Sequence, residues 1–277
     1  MPAQTLDGLR QRAIELLPSV IGDARVESIA FQGGIGRGQV DALSDVDLLL
    51  CCASPEDERR APQGEQRVDG GHWSIFTLCF DQVQPKRWTD KQRYLYAYET
   101  SIVTDPNGRL ARLCADARLS PEEQVDRVVF AVKKLGNRGC VYRGRYGATW
   151  RGVLWSDRPD LWIQRGDAYS AHMRLHQVHE LLIDLLFAIN GRPAPSTKWK
   201  YHVVQVLPWQ PAHLRQRLRS LAEIRSVAGA DFTRRYELAV GLLTDCIDEA
   251  LGRELIPEDI SRYYFARFSR HSDNTEA

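Results

Sequence analysis

Apolar residues recur at helical spacing near the start of the chain, at Leu6, Leu9, Ala13, Ile14, Leu16 and Leu17. The pattern predicts a helix that ends before Gly22. Next, Val26 to Phe31 alternates in the way a short strand does, and the glycine-dominated stretch Gly33 to Gly38 follows it. Val46 to Cys52 is a mostly apolar run, which predicts an interior strand. Residues 53 to 71 are polar and carry Pro55, Pro62, Gly64, Gly70 and Gly71, so they read as a loop or an irregular hairpin. His72 to Phe80 is aromatic and β-branched, a third strand. A helix is expected over Trp88 to Tyr98 and a short strand over Ser101 to Asp105, closed by Pro106-Asn107-Gly108. Leu110, Leu113 and Cys114 begin a short helix.

From Ser120 the period changes. Ser120-Pro121-Glu122-Glu123 combines a capping Ser, Pro at the first helical position and Glu at the third. Val125, Val128, Val129, Ala131 and Val132 continue at helical spacing, and helical pattern dominates 163–190, 211–227 and 231–252. No later stretch reads as a strand. The division this implies is a mixed domain at 1–118, a helical domain at 119–270 and a flexible tail at 271–277.

Composition narrows the class. With 277 residues, 43% hydrophobic and 26% charged, the chain can bury a sizeable core, which excludes general disorder, collagen and a disulfide-stapled miniature fold. A net charge of +1 argues against a nucleic-acid partner, although one local basic groove is compatible with it. The six cysteines form no zinc-ligand ladder, and Cys51 and Cys52 cannot face one side of a strand. No apolar signal segment precedes Asp7, and no run approaches 18 uncharged apolar residues, so no membrane partner is expected. The expectation is a cytoplasmic protein; a homodimer is left open.

The chemistry concentrates between Phe31 and Leu50. A strand ends, glycines follow, and Ser44-Asp45-Val46-Asp47 opens the next strand. Alternation puts Asp45 and Asp47 on one face, where they repel unless a cation joins them; paired oxygens of this kind suit Mg²⁺ carrying substrate phosphates. The glycines let backbone amides approach an anion, and Arg37 adds a guanidinium fork. A P-loop is excluded because no GxxxxGK[ST] occurs. A dinucleotide fingerprint is excluded because an acidic strand follows the glycines.

This segment resembles the signature of the DNA-polymerase-beta-like nucleotidyltransferases, particularly the antibiotic-modifying branch typified by kanamycin and lincosamide nucleotidyltransferases. That family carries Gly-Ser, ten residues, then Asp-x-Asp; here Gly33-Gly34 precedes Asp45-Val46-Asp47 by ten residues, with Arg37-Gly38 and Ser44 at commonly occupied positions. More weakly, Asp105 to Arg109, Leu186 to Asn190 and Lys198-Trp199 are similar to bacterial relatives with a helical C-terminal domain. The resemblance implies an α+β fold, with a mixed-sheet nucleotidyltransferase-like domain followed by a helical substrate-binding domain. It implies metal ligands at Asp45 and Asp47 for Mg²⁺ or Mn²⁺, and a triphosphate-binding turn at Gly33 and Gly34. The activity it implies is transfer of a nucleoside monophosphate, AMP from ATP or the equivalent from another NTP, to a small hydroxylated acceptor. An aminoglycoside or lincosamide-like antibiotic is one such acceptor. Alternatives are an impaired nucleotide-binding regulator and a protein adenylyltransferase.

Two departures stand out. Gly34 occupies the family's Ser position, and no acid lies at an inward position of the strand Trp73 to Phe80, where a third carboxylate is usual. Asp69, just before that strand, is the candidate third ligand or base, against the plainer reading of a turn Asp beside Gly70-Gly71. Lys198 and Lys200, read as a loop at the domain boundary, are candidates to contact the nucleotide or are solvated heads beside Trp199. His172, His176, His179, Glu180 and Asp184 share a helix. They offer a metal site, a cleft lining with Asp184 or Glu180 as base, or a packed polar face. The aromatic and arginine-rich stretch from Tyr142 to Trp162 reads as a packed interdomain loop or a substrate wall.

Overall fold

The computed structural model describes residues 5–41, 44–137, 160–257, 259–260 and 263. The tail 271–277, Cys140 and the aromatic–arginine stretch from Tyr142 to Arg158 lie outside the described residues. The chain divides into two compact units, Met1–Arg118 and Leu119–Ala277.

The first unit is built on a five-stranded mixed sheet. Its chain order is α1 (Leu6–Ile21), β1 (Ser28–Phe31), α2 (Gly33–Gly36), β2 (Val46–Cys52), α3 (Pro55–Arg60), β3 (Gly64–Val68), β4 (Gly71–Cys79), α4 (Asp90–Tyr98), β5 (Ser101–Thr104) and α5 (Arg109–Asp116). Strand order is β3-β4-β2-β1-β5, with β2 and β4 parallel and every other pair antiparallel. The Thr5 hydroxyl caps α1 by accepting from the Gly8 amide at 3.1 Å. The apolar stripe Leu9, Ala13 and Leu17 of α1 packs with Phe31, Val46, Leu48, Leu50, Trp73 and Ile75, the alternate residues that define one sheet face. Residues of opposite parity, Ala30, Leu49, Cys51 and Leu78, pack with Leu110 and Leu113 of α5 on the other face.

The segment 53–71, expected as a loop or an irregular hairpin, holds α3, capped by Ser54, and the edge strand β3, which is the first arm of a hairpin with β4. The hairpin between β3 and β4 turns at Asp69-Gly70, both with positive φ. The Asp105-Pro106-Asn107-Gly108-Arg109 motif is a staple. Asp105 accepts from the Leu110 and Ala111 amides at 3.2 and 2.8 Å and from the Ser28 hydroxyl at 2.7 Å. Burial opposes ionisation there, but these donors outweigh it and hold the carboxyl below its ordinary range. Cys51, Cys52 and Cys79 are buried free thiols; burial pushes Cys52 up to about 11 and Cys51 higher still.

The second unit is helical in all its described elements: α6 (Pro121–Asn137), α7 (Asp160–Gln164), α8 (Ala168–Ile189), α9 (Thr197–Val203), α10 (Leu214–Ala222) and α11 (Gly229–Gly252). Ser120 and Glu123 close the capping box of α6, with reciprocal bonds of 2.8 and 3.2 Å. The single helix expected at 163–190 is broken at Gly166-Asp167, where Asp167 caps α8 through the Ser170 amide. The central helix α8 packs against α6 and α11 and buries Leu175, Val178, Leu182, Ile183, Leu185 and Leu186. No described helix is long and apolar enough to cross a membrane.

A polar seam runs through this core. Arg235, 1% exposed, donates to the Leu221 carbonyl at 2.7 Å and meets His172 Nδ1 at 2.6 Å. His179 is buried with no hydrogen-bond partner at either ring nitrogen among the described residues, and burial pulls its pKa down to about 4. His172 is lowered by burial and then by Arg235. An unfolded His titrates near 6.5, so between the two values the unfolded chain holds the extra proton and stability falls as pH falls. For His179 alone the loss between pH 7 and pH 5 comes to about 2 kcal/mol. Urea unfolding followed by circular dichroism should show this slope, and His179→Phe should flatten it. A pH-independent midpoint over that interval would contradict the buried neutral imidazole.

Candidate active site

The site is assembled by strand register. Asp47 on β2 lies opposite Ser74 on β4, and Ser74 lies opposite Glu65 on β3, so the three share one sheet face in a single cross-strand row. The side chains agree: the Ser74 hydroxyl lies 3.0 Å from each oxygen of Glu65. Asp45, two residues before Asp47, falls on the same face, and His72 Nδ1 is 4.0 Å from its Oδ2 while His72 Nε2 is 3.4 Å from Glu65 Oε2. Asp45, Asp47 and Glu65 therefore line the mouth of β2 and its neighbours, with His72 between two of them.

On the other flank of β2 the glycine turn closes against Asp47. The Gln32 amide donates to the Asp47 carbonyl at 2.8 Å, and the chain then turns into α2. Gly33 has φ +58°, and a Cβ there would overlap Asp47 Oδ2, so the turn's backbone lies directly against the carboxylate. The first amides of a helical turn have no intrahelical acceptor, which leaves them to an anion or water. Arg10 of α1 donates to the Ile35 carbonyl at 2.9 Å and pins the turn from beneath.

Gly34 has its own reason to be glycine. A Cβ would meet the Gln39 carbonyl at 2.9 Å, tighter than real contacts allow, so the serine usual in the resembled family does not fit unaltered backbone. Ser44 Oγ lies 3.8 Å from that same Cβ position and brings a hydroxyl beside the turn, although it donates to Asp41 at 3.1 Å.

Three expectations are corrected. Arg37, expected as a phosphate fork, turns inward and pairs with Glu99 at 3.0 Å, both side chains about nine-tenths buried. Asp69, the expected third carboxylate, sits in the hairpin turn and accepts from Arg12 Nε at 2.9 Å; Arg12 belongs to α1, the helix that covers the opposite sheet face. Lys198 lies on α9 rather than in a loop, exposed, its Nζ 5.8 Å from the centre of the Trp199 ring. In the same unit Lys200 binds both candidate bases, Asp184 at 2.7 Å and Glu180 at 3.3 Å. Glu65 escapes a sequence reading because β3 contains one apolar residue in five and gives no periodic signal, whereas His72 opens the strand expected at 72–80 and gains its place only from its carboxylate neighbours.

Among the described residues no group of three or more His, Cys, Asp or Glu side chains is arranged to hold a metal ion. The donor set nonetheless fits Mg²⁺. That ion is held by one or two carboxylates, with water and substrate phosphate completing its shell, and Asp45 and Asp47 supply two hard oxygen donors on one face beside a glycine turn.

No protein-family model matches the chain, and no curated protein matches it. Among solved structures the chain is similar to a nucleotidyltransferase-like protein from Exiguobacterium sibiricum, at 16% identity, covering 88% of this chain and 76% of that chain, with a TM-score of 0.44. Such a likeness assigns no residue a role.

Proposed function

We propose that the chain is a Mg²⁺-dependent nucleotidyltransferase that moves a nucleoside monophosphate, AMP from ATP in the first instance, onto a hydroxyl of a small molecule. The observation that carries this reading is the contact between the Gly33 backbone and the Asp47 carboxylate, which puts an anion-accepting turn and a cation-accepting acid at one point. Asp45 and Asp47 would hold the metal, and the amides of Gly33 and Gly34 would receive the triphosphate. Bound Mg²⁺ supplies charge neutralisation at the α-phosphate and lowers the pKa of the acceptor hydroxyl. Glu65, in the row with Asp47 and Ser74, takes the place proposed for the third carboxylate and accepts the hydroxyl proton. The acceptor oxygen then bonds to the α-phosphorus as the bond to pyrophosphate breaks.

The test is incubation with each α-³²P-labelled NTP, Mg²⁺ or Mn²⁺, and a pooled panel of hydroxylated metabolites, aminoglycosides, lincosamides and cell lysate. Label should appear in an acceptor with release of pyrophosphate. Glu65→Gln should lower turnover by about 10²–10⁴-fold at nearly unchanged Mg–ATP affinity, the usual share of a general base, while Asp69→Asn stays within about twofold. Equal losses in both variants would remove Glu65 from the chemistry. A second reading, nucleotide binding without turnover, draws on Ser74, a hydroxyl where β4 faces Asp47, and on the exposure of Glu65, whose side chain is 63% accessible. Nucleotide binding with no transfer anywhere in the panel would favour it.

A further inference from the structure

Large apolar side chains on the described strands are mostly buried; Phe76 of β4 is 49% exposed. Along β4 the residues His72, Ser74, Phe76 and Leu78 share a face, and Phe76 pairs in register with Leu49, one step along the sheet from the Asp47–Ser74 row. Beyond it, Leu78 is buried in the cluster that holds Leu110 and Leu113 and against which Trp88 and Tyr96 pack. The ring of Phe76 has no aromatic or cationic partner among the described residues. A half-exposed aromatic ring thus borders the carboxylate row, beside Leu49 and Ser74, which are buried on the same face.

Strand order decides which substrate meets it. Gly33 and Gly34 follow β1, on one side of β2, whereas β4 lies on the other. The triphosphate and the Phe76 ring are therefore placed on opposite sides of Asp47, and Glu65 is on the Phe76 side. Two residues along a strand and one strand across correspond to a backbone separation of about 8 Å between Asp47 and Phe76. A flat ring resting on Phe76 can present a hydroxyl, attached one to three bonds away, to the carboxylates.

We propose that Phe76 is the stacking platform for the acceptor, and that the acceptor class is a small molecule bearing a hydroxyl on or near a planar aromatic ring. This rests on the nucleotidyltransferase reading and adds the acceptor's chemistry to it. Phe76 makes no contribution to the donor nucleotide.

The experiment uses the full chain with Mg²⁺ and an ATP analogue whose α–β bridging oxygen is a methylene. Two probes with the same hydroxyl, 2-phenylethanol and its ring-saturated counterpart 2-cyclohexylethanol, are titrated by saturation-transfer NMR. The wild type should prefer the planar probe by about three- to tenfold, the range that ring stacking adds beyond buried area. Phe76→Ala should erase the preference, and Phe76→Tyr should keep it. Analogue affinity, measured by calorimetry, should change less than about twofold in either variant. Equal binding of the two probes to the wild type, binding of neither, or a preference that survives Phe76→Ala would overturn the assignment. A parallel loss of analogue affinity in Phe76→Ala would place the nucleobase there instead and also overturn it. Failure of the wild type to bind the analogue in Mg²⁺ is a different result: it removes the nucleotidyltransferase reading, and this inference with it.

Discussion

Asp47→Asn is expected to lower Mg²⁺-dependent nucleotidyl transfer by about a thousandfold or more, equivalent to about 4 kcal/mol of transition-state stabilisation. Asp47 is the acid that touches the glycine turn, so removing its charge separates the metal from the phosphates it must neutralise. The substitution keeps the side chain's shape, and relief of repulsion with Asp45 offsets lost hydrogen bonding, so the melting temperature should stay close to that of wild type. Asp45→Asn should act in the same direction. Its carboxylate is about half exposed and has His72 at 4.0 Å. Calorimetry of ATP binding with and without Mg²⁺, on wild type and the double variant, supplies the direct check. Equal affinity in all four conditions, or undiminished turnover in Asp47→Asn, would refute the role given to the pair.

Gly33→Ala carries the second large effect. A residue with φ near +58° incurs about 1–2 kcal/mol when a Cβ is added, and here the Cβ would also overlap Asp47 Oδ2. The expected outcome is a stability loss of about 2–3 kcal/mol, with nucleotide affinity reduced at least about tenfold because the carboxylate is pushed out of place. The two causes separate in a double-mutant cycle. Combined with Asp47→Ala, Gly33→Ala should regain the steric part of its loss and keep the backbone part. Strict additivity between the two substitutions would show that the turn and the carboxylate are not in contact.

Much of this arrangement is legible in the chain. Val46 to Cys52 reads as an interior strand because six of its seven residues are apolar, and period-two alternation puts Asp45 and Asp47 together without any knowledge of neighbours. Short capping sequences are equally local, as at Ser120 to Glu123. What cannot be read are pairings set by distant chain. Arg37 turns inward because Glu99 meets it 62 positions later, and Asp69 is drawn to Arg12 from 57 positions earlier. Glu65 is invisible for a further reason. It lies on a polar strand, and its place beside Asp47 exists only once β4 has paired antiparallel with β3 and parallel with β2.

The strand that bears Glu65 is also where the sheet ends. A terminal strand offers a row of backbone donors and acceptors to any other extended chain, and charged side chains along it are a common defence against such aggregation. Glu65 and Arg67 are charges of this kind on β3. The carboxylate proposed to take a proton thus also protects the protein's solution behaviour, and Glu65→Gln weakens both roles together. Light scattering at the assay concentration has to show wild-type size before a slower rate in that variant is ascribed to chemistry.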